Sequence, residues 1–149
     1  MNALLQSRAI PATPWLSPDE IDLVRSQFAH IGRDADGFAR DFYDTLFSIA
    51  PLVRAMFRGP MPEQRAKLLR MLGLLVSQLR SPEALAAPLA SLGERHHGYG
   101  VLALDYDKVG DALLRTLALH LGEAFDQTAR TAWGKVYAFV ASTMQAAHA

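Results

Sequence analysis

The stretch LGERHHGYGV, residues 92–101, sets His96 and His97 side by side, just where Gly98 and Gly100 end a helical pattern. An imidazole at such a place can move a proton near neutral pH or present a nitrogen lone pair to a metal. The residues before the pair decide which ring faces inward. Leu85, Leu89 and Leu92 step by four and then three along an apolar stripe, and four further residues reach His96. His97 is turned away from that stripe by about 100°, since a helix has 3.6 residues per turn. His96 is therefore expected to face the core, and His97 solvent or a rim. Pattern alone leaves two readings of His96 open: a buried histidine hydrogen-bonded to a carbonyl, or a ligand to something held in the core.

The elements that must position His96 are read from periodicity. Ser17, Pro18 and Glu20 form a helix start with a capping box, followed by Ile21, Val24, Phe28 and Ile31 at helical spacing and a stop at Gly32. A second helix is predicted from about Asp36 to Ala50, with Phe38, Phe42, Leu46 and Ile49 on one face and Pro51 ending it. PLVRAMF is then a short helical turn and RGPMPE a loop. From Glu63, the positions Gln64, Leu68, Met71, Leu72, Leu75 and Leu79 mark a long helix. The stretch begun by Ser81 and Pro82 carries His96, and Pro88 is expected to kink or divide it. Two more helices are predicted, about Asp105 to Leu121 and Glu123 to Ala147, the last with Trp133, Val136, Tyr137 and Val140. No segment alternates with period two, so the fold class is all-α, six or seven helices with essentially no sheet.

The 149 residues suit one domain, half of them apolar and a fifth charged. Residues 1–16 read as a flexible arm and 17–149 as the domain. Fifteen basic residues balance fifteen acidic ones, which argues against nucleic acid or an anionic membrane as a partner. With no cysteine there are no disulfides, thiolate metal sites or cysteine nucleophiles, and histidine is left as the strong metal ligand. The N-terminal MNALLQSRAIPATPW holds no apolar run long enough for a signal peptide or a membrane span, so a cytoplasmic protein is expected.

Three separated motifs, in order, resemble the globin family. SLGERHHGYGV followed by LDYDKVGDALLRTL is similar to the globin stretch in which the proximal histidine precedes a long helix with a V-G pair. FYDTLFSIAPLVRAMF looks like the second globin helix, its terminal proline and the phenylalanine that stacks on the haem. AWGKVYAFV is similar to the last helix of bacterial globins of the flavohaemoglobin lineage. The resemblance covers most of the chain from residue 17 and implies a globin fold, six to seven helices around a haem pocket. It implies His96 as the ligand to haem iron, through a neutral imidazole nitrogen. The cofactor would be haem b, held non-covalently for want of a cysteine tether.

The resemblance also implies a distal pocket. Tyr43 matches the tyrosine that points at bound ligand and Phe57 the phenylalanine that packs on the porphyrin. Gln64, placed by QRAKL, matches the distal glutamine, and Leu68 the apolar residue one turn on. Val101 and Tyr106 fall on the haem's proximal side. Taken by themselves, Tyr43 reads as a core aromatic and Gln64 as an exposed helix residue. As a pair they would donate hydrogen bonds to bound dioxygen, favouring it over carbon monoxide and slowing its release. A glutamine is a poor iron ligand, so the sixth position is expected to be open for dioxygen, carbon monoxide or nitric oxide.

Two departures qualify what the resemblance carries over. Flavohaemoglobins pair a tyrosine and a glutamate beside the proximal histidine, strengthening its donation to iron. Tyr106 matches the tyrosine, but no acidic residue follows Asp126, and the ungapped match reaches His148. The flavin and nicotinamide domains of that lineage are also not in this sequence. The functional expectation is a haem-binding, dioxygen-binding and oxygen-transport globin, with two alternatives. One is a nitric oxide dioxygenase served by an external reductase, the other a gas or redox sensor.

Overall fold

The computed structural model describes residues 15–147, so residues 1–14 of the expected arm, and His148, lie outside the described residues. Six α-helices, with 3-10 turns at four of their connections and no strand among the described residues, make the expected all-α architecture. Helix α1, Pro18–Ile31, starts as the sequence dictates. The Glu20 amide donates to Ser17 Oγ at 3.1 Å and the Ser17 amide to Glu20 Oε1 at 2.9 Å. Just ahead of it Leu16 is fully buried, and Trp15 donates from Nε1 to the Leu79 carbonyl at 3.2 Å while packing on Phe139.

Helix α2, Ala35–Ile49, is capped by Asp34, which accepts from the Gly37 amide. It ends before Pro51, and a 3-10 turn, Pro51–Met56, follows. Helix α3, Met61–Ser77, begins two residues before the expected Glu63, because Pro62 in a first turn lacks only an N–H that would have had no partner there. A 3-10 turn, Pro82–Leu85, leads into α4, Ala86–Gly98. The division expected at Pro88 falls ahead of it, between turn and helix, and the proline sits in the first turn of α4 for the same reason.

Helix α5 is Ala103–Leu121 and α6 is Gln127–Ala146. The predicted start of the last helix at Glu123 is corrected: Gly122, at φ +58°, and Ala124 bound a 3-10 turn. Asp126 then caps α6 by accepting the Ala129 amide at 3.0 Å. A carboxylate that satisfies an orphan amide fixes a start more strongly than a run of helix formers does.

Helix α2 lies against α5, and α4 against α6, as the two most intimate pairs. At Gly93, α4 passes so near α6 that an added Cβ would stand 2.7 Å from the Met144 carbonyl carbon. Trp133, Phe38, Leu46, Leu89 and Leu117 are fully buried between the layers, each worth roughly 1.5–3 kcal/mol of burial. One polar chain crosses this core: Trp133 Nε1 donates to Gln27 Oε1 at 2.9 Å, and Gln27 Nε2 to the Ala124 carbonyl at 2.8 Å. Among the described residues no helix is long and apolar enough to cross a membrane.

Candidate functional site

Two adjacent chambers open between α3, α4, α5 and α6, with Leu68, Met71, Leu92 and His96 in the walls of both. The inner one, of about 150 Å³, is walled by core side chains such as Leu89, Leu113 and Val136. The outer one, of about 440 Å³, is bordered by Tyr43 and Gln64 and by the cations Lys67, Arg70 and Arg95. No acidic side chain lines either chamber. The space is thus apolar at depth and cationic at its mouth, suited to a ligand with an apolar body and carboxylates along one edge.

Helix α4 brings His96 to both chambers, half-buried, while His97 is exposed, as the helical phase requires. His96 Nδ1 is 2.9 Å from the Leu92 carbonyl oxygen. A carbonyl only accepts, so Nδ1 carries the proton and Nε2 keeps its lone pair. Burial pushes the His96 pKa below the usual 6.5, with the Leu92 hydrogen bond opposing and nearby Arg95 reinforcing. Neutral, with one nitrogen tied back to its own helix, the ring has the form a metal ligand needs.

Tyr43 sits in α2 within an aromatic cluster. Phe42 and Phe57 meet its ring edge-on, at 5.0 and 5.4 Å between centroids, and Phe47 lies at 5.8 Å. Its hydroxyl accepts from Gln64 Nε2 at 3.0 Å. Burial raises the Tyr43 pKa, with the Gln64 bond working against it, so the phenol stays protonated. Because the amide donates to the phenol oxygen, the phenol's own proton is free to donate into the chamber.

Leu68, one turn beyond Gln64, faces both chambers; Val101 and Tyr106 line the inner one. The Tyr106 hydroxyl is buried and has no hydrogen-bond partner among the described residues. Tyr43 and Gln64 thus line the outer chamber, Val101 and Tyr106 the inner one, and Leu68 and His96 both. Phe57 is set apart: it packs behind Tyr43 and Phe47 and lines neither chamber.

Sequence reasoning did not single out Lys67, Arg70 or Arg95 at the mouth. Lys67 and Met71 share the Gln64 face at steps of three and four, a signal present in the sequence. Arg95 precedes the histidine directly, and only the fold shows that it reaches the mouth.

A family model described as Globin matches residues 40–144. The chain belongs to the globin family, a class defined by haem binding and the binding of diatomic gases. Neuroglobin from Dissostichus mawsoni is 24% identical over 143 residues, covering 87% of this chain and 90% of that protein. The flavohemoprotein of Rhizobium meliloti (strain 1021) is 26% identical over 129 residues, covering 83% of this chain; the match spans 31% of the flavohemoprotein. A solved structure of an engineered carbene transferase, named as a nitric oxide dioxygenase of Rhodothermus marinus, superposes with a TM-score of 0.78. It is 26% identical, and the match covers 88% of this chain and 92% of that one. Within its family this chain is a globin domain of the flavohaemoglobin lineage.

Proposed function

We propose that the chain holds a b-type haem on His96 and binds dioxygen and other diatomic gases beside Tyr43 and Gln64. The observation that carries this reading is the shared chamber. A neutral imidazole with a free Nε2 and a hydrogen-bonded phenol–amide pair line the same cavity. The cavity's division into an apolar depth and a cationic mouth fits the haem's apolar ring and its two carboxylates, which Lys67, Arg70 and Arg95 would meet. Bound there, haem supplies an iron centre for gas coordination.

The chain's own part is positional. Gln64 orients the Tyr43 hydroxyl, and that hydroxyl would donate to a diatomic ligand carrying partial negative charge. Leu68 and the Phe42, Phe47 and Phe57 cluster keep that site dry. A hydrogen bond in such a place is worth about 1.4 kcal/mol, or tenfold in an equilibrium. Tyr43→Phe is therefore expected to release dioxygen about tenfold faster, measured by rapid mixing of the oxygenated protein with a ligand trap. Equal rates in variant and parent would overturn the role given to Tyr43, and a chain that takes up no haem would overturn the whole reading.

A second reading is favoured by the match to the Rhodothermus marinus structure. In it a haem held by His96 would supply the centre at which dioxygen and nitric oxide combine to nitrate, beside Tyr43 and Gln64, and an external reductase would return the one electron lost in each turnover. Rapid mixing of the oxygenated protein with nitric oxide decides it: stoichiometric nitrate supports the reading, and none removes it.

A further inference from the structure

Helix α3 is anchored unevenly. Its buried residues, Leu72, Leu75 and Val76, all lie in its second half. In the half that carries Gln64 no side chain is fully buried, and Met61 and Leu68 pack against the core only in part. The start of the helix is weak as well. Pro60 holds the cap position, where its ring can accept no amide, and Pro62 follows in the first turn.

Among the described residues, two side-chain hydrogen bonds tie the first two turns of α3 to another helix, and both reach α2. One is the bond from Gln64 Nε2 to the Tyr43 hydroxyl at 3.0 Å. The other is made by the next residue: Arg65 Nε donates to Asp36 Oδ1 at 2.8 Å. Asp36 and Tyr43 stand two helical turns apart in α2, so they share a face, and neighbouring residues of α3 grip that face at two heights. The Arg65 side chain is largely covered, at 20% exposure, whereas Asp36 is open to solvent. Asp36 also lies in the first turn of α2, where the helix dipole favours its charge.

We propose that Arg65 and Asp36 are positioning residues: their ion pair pins the loosely packed first half of α3 to α2 and so holds Gln64 against the Tyr43 hydroxyl. With the pin open, the Gln64 amide leaves the phenol oxygen for part of the time, and the hydroxyl loses the group that orients it. Retention of a gas in the chamber is thereby made sensitive to ionic strength by two residues that line neither chamber. The effect on gas binding rests on the haem reading above; the pin itself does not.

The test combines the dioxygen release rate of the haem-loaded chain with the Gln64 side-chain amide signals in proton–nitrogen correlation spectra, recorded with and without haem. Asp36→Asn and Arg65→Gln are each expected to speed release about two- to fivefold, the worth of a partly exposed ion pair. Their combination should go no further than either alone, and Asp36→Asn should leave the rate unchanged on a Tyr43→Phe background. About 0.5 M salt should bring the parent to the rate of the variants and leave the variants where they are. Asp36→Glu, which keeps the charge, is expected to behave as the parent. In Asp36→Asn the Gln64 signals should move toward their positions in Tyr43→Phe. Arg80→Gln, which breaks the exposed pair with Asp22, is the control and should alter neither readout. Unmoved signals and rates in Asp36→Asn and Arg65→Gln, with only a lower melting temperature, would make the pair purely structural and overturn the inference while leaving the haem reading intact. Faster release that persists on the Tyr43→Phe background would overturn it too. A chain that takes up no haem would remove the functional reading, and the Gln64 signals of the haem-free chain would then decide the pin by themselves.

Discussion

Gly93 is where the scaffold of the site is most exposed to a single methyl group. An alanine Cβ there would lie 2.7 Å from the carbonyl carbon of Met144 and 2.8 Å from its Cα, with the carbonyl oxygen nearer still. Carbon atoms in contact prefer about 3.5–4.0 Å, and the obstacle is backbone, so α4 and α6 would have to part by about 1 Å. Because the obstacle is backbone that cannot turn aside, the overpacking cost falls in the upper half of the roughly 1–3 kcal/mol range, about 2–3 kcal/mol, against a gain of about 1 kcal/mol from replacing a mid-helix glycine. The expected net loss is about 1–2 kcal/mol, or roughly 2–8 °C in Tm for a domain of this size. Gly73→Ala supplies the opposite sign: it lies inside α3 and its added Cβ meets nothing within 4 Å. That variant is expected to gain up to about 1 kcal/mol. Thermal melts of the haem-free chain by circular dichroism compare the two. Because His96 stands three residues beyond Gly93, Gly93→Ala is also expected to take up haem more weakly. A Gly93→Ala protein as stable as the parent would refute the close crossing of α4 and α6, and with it the argument for how His96 is placed.

Two further outcomes follow from the polar contacts. Trp133→Phe leaves the buried Gln27 carbonyl oxygen without its donor, and urea titration should show a loss of about 1–3 kcal/mol. Glu20 is held below its ordinary pKa of 4.5, first by the Ser17 amide and then by Lys135. A depressed carboxylate stabilises the fold above its unfolded pKa and loses that contribution as pH falls through the folded value. The stability difference between the parent and Glu20→Gln should therefore be constant from pH 6 to 8 and shrink below about pH 4.5; a difference unchanged at pH 3 would contradict the assignment.

How far these features could be read beforehand depended on whether the signal was local. The Ser17–Glu20 box and the stripe leading to His96 are local, and the helices they imply are present. The start of α6 was missed because Glu123 and Asp126 are both good first-turn residues, and only the chain direction after Gly122 decides between them. The place of Tyr43 within an aromatic cluster, the cationic mouth and the Gln27–Trp133 bond all join residues distant in sequence. Helical phase places a side chain on a face, but it carries no information about which other helix that face will meet. Tyr137 illustrates the limit: its position on the apolar face of α6 was legible, whereas its bond to the Tyr106 carbonyl depends on how α5 and α6 cross.

The central claim is that His96 is the ligand to a haem iron whose other side is open. Its most direct test is the visible absorption spectrum of the reduced, haem-loaded chain, with and without carbon monoxide, beside that of His96→Gly. The account predicts a broad reduced band that sharpens with carbon monoxide in the parent, and its loss in His96→Gly with recovery on adding imidazole. Sharp split bands in the reduced parent, or a His96→Gly spectrum identical to it, would contradict the account.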